Sequence, residues 1–377
     1  KRRKITFMYK VLVFGITENP GGVESFLVNY YRKIDRTKIQ FDFLCNTHNE
    51  VAYENELKLL GGQVIHIAMR SREPMKYRKE LNDFMEQHAS DYQAVWVNVC
   101  SLANIDYLKV AKKYGIKKRI IHSHNSQNMD NHIRKILHMI NRQRISDYAT
   151  DFWACSEDAA KWFYKKNLQS EAVVIKNAIE LDNVGFSEEK RKVIRNRYGI
   201  SDKFVIGNVG RLHFQKNQLF ALEVMKYLSQ KNQNCVLMLV GQGEDERKLR
   251  QRAEELDIKE KVIFAGVQSD IGGYLSAFDL FLFPSVFEGL GIAGLEAQAN
   301  GLPVISSYGV IPAELKLAEN FYFKKLEDGA ESWAEQIEKL SSDLKRTDKK
   351  KIEKQFTEAG FNINTEIKRL EELLMEN

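Results

Sequence analysis

The sequence predicts an α/β protein made of two doubly wound, parallel-sheet units. Strand-like and helix-like stretches alternate along the chain, as they do where crossover helices join parallel strands. The alternation runs twice, a first set ending near residue 176 and a second opening afresh at Phe204. The 377 residues also exceed what one hydrophobic core usually holds.

Short apolar, β-branched runs place strands of the first unit at Val11–Ile16, Ile39–Cys45, Gln63–Ala68, Ala94–Val99, Arg119–Ser123, Asp151–Cys155 and Ala172–Lys176. Helical spacing of apolar residues places helices at Val23–Ile34, Tyr77–His88, Asn131–Tyr148 and Glu157–Lys166. The second set of strands is Phe204–Val209, Val236–Val240, Val262–Ala265, Leu280–Phe283, Pro303–Ser306 and Phe321–Lys324. Polar Glu188-Glu-Lys-Arg-Lys192 separates the two sets, so the expected domains are residues 1–185 and 186–350, with a helical tail at 351–377 interrupted by Gly360.

A content of 44% hydrophobic and 29% charged residues is that of a soluble globular protein. No apolar run approaches the ~20 residues that span a bilayer, and no signal peptide is expected. Cys45, Cys100, Cys155 and Cys235 are scattered through apolar runs and read as reduced core residues, not as a disulfide frame or a metal site. Residues 1–180 hold 29 Lys and Arg against 20 Asp and Glu, the remainder 28 against 31. A basic first half suits anionic lipid headgroups, phosphate-bearing acceptors or nucleic acid, or is plain solubilising charge. Clusters of Lys and Arg interleaved with stacking aromatics are missing, which counts against nucleic acid.

The most informative stretch is Phe283-Pro-Ser-Val-Phe-Glu-Gly-Leu-Gly-Ile-Ala-Gly-Leu-Glu-Ala-Gln-Ala-Asn-Gly-Leu-Pro-Val-Ile-Ser306. Leu280–Phe283 is a buried strand that Pro284 ends, having no amide hydrogen for the ladder. Gly289 and Gly291 permit a tight turn, and a helix follows from about Ala293 to near Gly301. A glycine turn feeding a helix N-terminus presents free N–H groups and partial positive charge, which suits phosphate. Glu288 and Glu296, with seven residues between them, accept hydrogen bonds from hydroxyls but repel phosphate. Together they describe a pocket for a phosphate flanked by hydroxyl-rich groups, as in a sugar nucleotide.

Glu288-Gly-Leu-Gly-Ile-Ala-Gly-Leu-Glu296, set between Pro284-Ser285 and Gly301-Leu-Pro-Val304, resembles the E-x7-E motif of retaining glycosyltransferases of family 4, which have the GT-B fold. The resemblance implies two Rossmann-like domains facing a central cleft, the first binding the acceptor and the second the nucleotide sugar, with the C-terminal helix returning to the first domain. Further segments carry it. Thr17-Glu-Asn-Pro-Gly-Gly-Val-Glu24 is similar to the family's G-G-x-E, whose loop (here Gly21 and Gly22) lies over the donor diphosphate. Val209-Gly-Arg-Leu-His-Phe-Gln-Lys-Asn217 resembles the motif whose Arg and Lys, here Arg211 and Lys216, hold that diphosphate; strand ends of open α/β sheets are where such ligands sit. Leu239-Val-Gly-Gln-Gly-Glu244 resembles the family's V-G-x-G, with Gly241 lining the nucleotide site. Phe264-Ala-Gly-Val-Gln268 resembles the segment that receives the base at Val267 and Gln268, with Asp270 capping the next helix.

His122 and His124 in Ile120-Ile-His-Ser-His-Asn-Ser126 share one side of a strand. A pair two apart suggests a metal, yet no third ligand is evident; by position His124 matches the family's histidine beside the donor sugar, with His122 as support. Lys176-Asn177-Ala178 departs from the family's commoner P-N-G.

The resemblance implies a metal-independent transfer with retention from a UDP- or GDP-sugar to an acceptor hydroxyl, with no further cofactor. Glu288, His124, Arg211 and Lys216 would form the catalytic set, and Leu290, Gly291, Ile292 and Glu296 would complete the donor site. The expected partners are a nucleotide sugar, a glycan or lipid-linked acceptor and an anionic membrane at the inner face of the cell, with no nucleic acid. The alternative is a catalytically silent subunit that keeps the fold and assists a true transferase.

Overall fold

The computed structural model describes residues 8–125, 132–231, 234–288 and 290–376. The chain forms two compact units, residues 1–178 with 363–377, and residues 179–362.

In the first unit, β1 (Tyr9–Phe14), β2 (Ile39–Cys45), β3 (Val64–His66), β4 (Ala94–Val99), β5 (Lys118–Ser123), β6 (Asp151–Ala154) and β7 (Val173–Val174) pair in parallel in the order β3-β2-β1-β4-β5-β6-β7. Its helices are α1 (Gly22–Lys33), α2 (Glu54–Leu59), α3 (Pro74–His88), α4 (Asp106–Lys113), α5 (His132–Arg144), α6 (Glu157–Phe163) and α7 (Lys166–Gln169). Alternate residues of β1 enter opposite cores: Val11 and Val13 pack with Trp96 and Trp153, Leu12 and Phe14 with Tyr77 and Phe163.

In the second unit, β8 (Phe204–Val209), β9 (Cys235–Val240), β10 (Val262–Gly266), β11 (Leu280–Phe283), β12 (Val304–Ser307) and β13 (Phe321–Lys324) pair in parallel in the order β10-β9-β8-β11-β12-β13. Its helices are α8 (Leu181–Val184), α9 (Glu188–Tyr198), α10 (Gln218–Lys231), α11 (Glu246–Glu255), α12 (Ile271–Ala277), α13 (Ile292–Ala299), α14 (Gly329–Ser341) and α15 (Lys349–Glu358). Again the strands alternate: Phe281 and Phe283 pack with Leu295 and Phe356, Leu280 and Leu282 with Leu237 and Trp333. The strand order reverses between β1 and β4 in one unit and between β8 and β11 in the other, which opens a crevice at the carboxyl ends of those strands.

The last helix, α16 (Ile363–Met375), packs on α1, with Ile367 and Leu370 in the core around Trp96. The expected tail 351–377 is therefore corrected: α15 belongs to the second unit, where Ile352 and Phe356 are core, and only residues 363–377 belong to the first. The expected boundary at 185 also moves, to 178/179, because Ile179 and Val184 pack in the second core and the Ile179 amide donates to the Phe361 carbonyl at 2.9 Å.

Other expectations shift locally. The third and seventh strands are edge strands cut to three and two residues, each with a single partner strand. The helix expected to reach Tyr148 ends at Arg144 in a 3-10 turn, and its expected start, Asn131, lies outside the described residues. The helix expected over Glu157–Lys166 breaks at Tyr164, whose buried hydroxyl lies 2.8 Å from the Ile121 carbonyl and 2.6 Å from that of Trp153.

Candidate active site

In the second unit the crevice is built from the loops after β8 and β11. Lys216 leaves a short 3-10 turn after β8, and its Nζ lies 2.6 Å from Glu288 Oε1, beyond β11. Ser285 Oγ donates to the same oxygen at 2.7 Å. Backbone contacts fasten the two loops: Val286 N donates to the Gln215 carbonyl, and Asn217, in the left-handed region at φ 55°, donates through Nδ2 to the Pro284 carbonyl. Beneath them Asn208 Nδ2 donates to the Leu282 carbonyl, and Gln218 Nε2 reaches both Asn208 Oδ1 and the Arg211 carbonyl. These buried amides fix the spacing of the two strand ends.

Gly291, at φ 76°, is the N-cap of α13 and offers no side chain to its first turn. The first amides of the helix, at Ile292 and Ala293, thus remain donors for an anion. One turn on, the Glu296 carboxyl has no hydrogen-bond or ion-pair partner among the described residues, and burial pushes it up to about 7. Gly289 lies outside the described residues, while Leu290 is half-buried beside it.

Arg211 is placed differently from Lys216. Its Nε donates to Glu244 Oε2 at 3.0 Å, His213 Nε2 lies 3.3 Å from the other Glu244 oxygen, and the guanidinium is largely exposed. The loops after β8, β9 and β10 are stitched together by Gly210 N to the Val240 carbonyl, Leu212 N to that of Gln242 and Gly241 N to that of Gly266. Gly241 is obligatory here: φ is 135° and a Cβ would stand 2.0 Å from the Gly210 carbonyl oxygen. Val267 is exposed at the end of β10, and Gln268 Nε2 donates to the Ala265 carbonyl. Asp270 caps α12 through Gly273 N, as the sequence predicts.

In the first unit the crevice is a cavity of about 750 Å³ between the ends of β1 and β4. Gly22 lines it at the start of α1, whose N-cap Gly21 also leaves the first turn without a side-chain cap. Glu24 is buried, and Thr17 donates to it from both N and Oγ1, at 3.2 and 2.6 Å, which braces the glycine loop. Arg70, Arg78 and Arg134 line the wall; Arg70 is paired with Asp106 at 3.0 Å.

His124 Nε2 lies 2.9 Å from Asn98 Oδ1, and burial holds the ring down to about 3. His122 is fully buried between Trp96 and Phe26 with both ring nitrogens unpartnered, and burial beside His124 holds it well below the usual histidine range. It is a packing residue. Asn177 is buried with its Oδ1 unpartnered.

The structure thus joins Lys216 with Glu288, sets Glu296 and the amides at Gly291–Ile292 on the same loop and helix, and pairs Arg211 with Glu244. Sequence reading missed Glu244, Ser285, Asn98 and the cavity arginines as participants. For Asn98 a signal existed: one amide inside the buried strand Ala-Val-Trp-Val-Asn-Val needs a partner.

The architecture is that of the GT-B glycosyltransferases. The crystal structure of Anabaena HepE in complex with UDP matches it with a TM-score of 0.78 at 18% identity, over 97% of this chain and 99% of that one. The chain belongs to the family described as Glycosyl transferases group 1, whose profile matches residues 190–360. It is 30% identical over 344 residues to the putative glycosyltransferase EpsF of Bacillus subtilis (strain 168), covering 86% of this chain and 85% of the relative. It is 26% identical over 386 residues to the capsular polysaccharide biosynthesis glycosyltransferase CapH of Staphylococcus aureus, covering 98% and 99%. Among the described residues no helix is long and apolar enough to cross a membrane.

Proposed function

We propose that the chain is a retaining, family 4-type enzyme that moves a sugar from a UDP- or GDP-sugar to an acceptor hydroxyl in the synthesis of a surface polysaccharide or glycoconjugate. The observation that carries this is the Lys216–Glu288 pair set beside the uncapped N-terminus of α13, at the switch point of the second sheet. The barrier lies in breaking the bond to the leaving diphosphate as positive charge grows on the sugar. Donors aimed at the departing oxygens lower it. Lys216, Arg211, the amides at Gly291–Ile292 and the Gly21–Gly22 loop fill that role in this reading, so no divalent metal is needed. Arg211 would exchange Glu244 for phosphate. Glu288 would orient sugar hydroxyls, and the unpartnered Glu296 would accept from the ribose hydroxyls. Gly241 would line the nucleotide with its backbone, Val267 and Gln268 would receive the base, and His124 would face the donor sugar.

The first-unit cavity would take the acceptor, a glycan or a lipid-linked one, in a cytoplasmic protein resting on the anionic inner face of the cell membrane. A panel of UDP- and GDP-sugars is tested for thermal stabilisation and then for transfer and hydrolysis in the presence of EDTA. Stabilisation by one base, with transfer that survives EDTA, is expected. If no member stabilises the protein, the chain is instead a silent subunit.

A further inference from the structure

Large apolar side chains are exposed in one concentrated place among the described residues. Helix α5 carries four of them, Ile133, Ile136, Met139 and Ile140, and no other helix or strand among the described residues carries more than one. At 100° per residue these four fall within one third of the helix circumference. The opposite side is fastened to the unit. His138 is buried, its Nδ1 accepts from Leu102 N at 3.1 Å, and Asn141 Nδ2 donates to the Leu102 carbonyl at 2.7 Å. Arg142 donates to the carbonyls of Lys161 and Tyr164. The helix therefore cannot roll to hide its apolar face.

That face is bordered by cations. Lys135 flanks it on one side and Arg144 on the other, and the helix contains no acidic residue. An apolar stripe with a cation on each side matches the acyl–headgroup boundary of an anionic bilayer, where the stripe sinks in and the cations meet phosphate. A second copy of the chain is a poor occupant, since a two-fold contact would set these cations against one another.

We propose that α5 is an interfacial helix that docks the chain on an anionic lipid surface. Arg134 and Leu137 of the same helix line the 750 Å³ cavity, so docking would bring that cavity to the membrane and favour an acceptor borne on a lipid. This last step rests on the transferase reading; the docking itself does not.

The test is co-sedimentation of the full chain with vesicles of phosphatidylcholine, with and without phosphatidylglycerol, at low and high salt. Binding to the anionic vesicles is expected, weakened but not abolished by salt. Ile136→Ser with Ile140→Ser should weaken it at least about tenfold. Lys135→Gln should cost about fivefold on anionic vesicles and nothing on neutral ones. The melting temperature of each variant is measured alone and with UDP and with GDP and should match the parent's, which separates loss of docking from loss of fold or of the donor site. Absence of binding to every vesicle, or binding that the double variant leaves intact, overturns the proposal. So does a dimer, detected by sedimentation velocity, that the double variant dissolves.

Discussion

Lys216 and Glu288, 72 residues apart in sequence, meet with Nζ 2.6 Å from Oε1, and their side chains are 18% and 5% exposed. The contact ties the loop after β8 to the loop after β11, so it couples the integrity of the crevice to its chemistry. A buried carboxylate that loses its cation is left uncompensated, whereas removal of both partners is far milder. Lys216→Ala should therefore lower the melting temperature, and Lys216→Met with Glu288→Gln should restore most of it. Transfer should fall about 10²–10³-fold in the single variant and stay down in the double one, since the phosphate still lacks its donor. Melting curves beside initial rates check this; recovery of both together would make the pair purely structural.

Glu296 gives a pH signature. Its carboxyl is raised from 4.5 to about 7 by burial, so the folded protein holds a proton that the unfolded chain has already released. Stability from this group is therefore present below about pH 4.5 and is lost as pH rises toward 7. A ligand hydroxyl donates to the carboxylate, not to the acid, so affinity for whichever nucleoside diphosphate stabilises the protein should rise with pH through about 7, by up to about tenfold per unit, with proton release. Glu296→Gln should flatten that profile, weaken nucleotide binding and raise the melting temperature above pH 7. Titration calorimetry in buffers of different ionisation enthalpy reads the proton; an affinity flat from pH 6 to 8 would remove Glu296 from the donor site.

Two glycines separate fold from function. Gly241→Ala is strained at φ 135° and drives a Cβ into the Gly210 carbonyl, so the stitched loops after β8 and β9 must part. Low soluble yield or a clear drop in melting temperature is expected. At Gly22 a Cβ meets nothing within 4 Å, and Gly22→Ala should melt as the parent does. A loss of transfer in that variant then reports a ligand in the cavity rather than a damaged helix.

The sheets were legible because their strands are short, apolar and bounded by glycine or proline: Leu280–Phe283 and Phe204–Val209 fall where periodicity places them. The Glu288–Glu296 helix was legible because its turn residues repeat a mechanism, an anion seat at a helix start. Edge strands and breaks were not: β7 is short at a sheet edge where it has a single partner strand, and α6 ends where the Tyr164 hydroxyl reaches two carbonyls outside the helix. Pairing was equally hidden. Nothing in the spacing distinguishes Lys216, which turns to Glu288, from Arg211, which turns to Glu244.

His124 supplies the sharpest test of the first unit's part in the chemistry. Asn98 Nδ2 donates to the Trp96 carbonyl, so its Oδ1 faces the ring and Nε2 carries the proton. The buried Nδ1 is then a bare acceptor without a partner, suited to a hydroxyl. Held down to about 3, the ring is neutral wherever the protein works. Its contribution to stability falls only as pH drops from 6.5, where an unfolded histidine protonates, toward 3. The parent enzyme should show no histidine-like limb in its pH–rate profile near 6.5. Asn98→Asp sets a carboxylate against Nε2 and raises the ring's pKa, so protonation would occupy Nδ1 as pH falls. An acid limb should then appear in that variant, with the rate restored at higher pH, while His124→Gln carries no such limb and transfers poorly at every pH. An acid limb near 6.5 in the parent, or a full rate in His124→Gln, would take the ring out of the reaction.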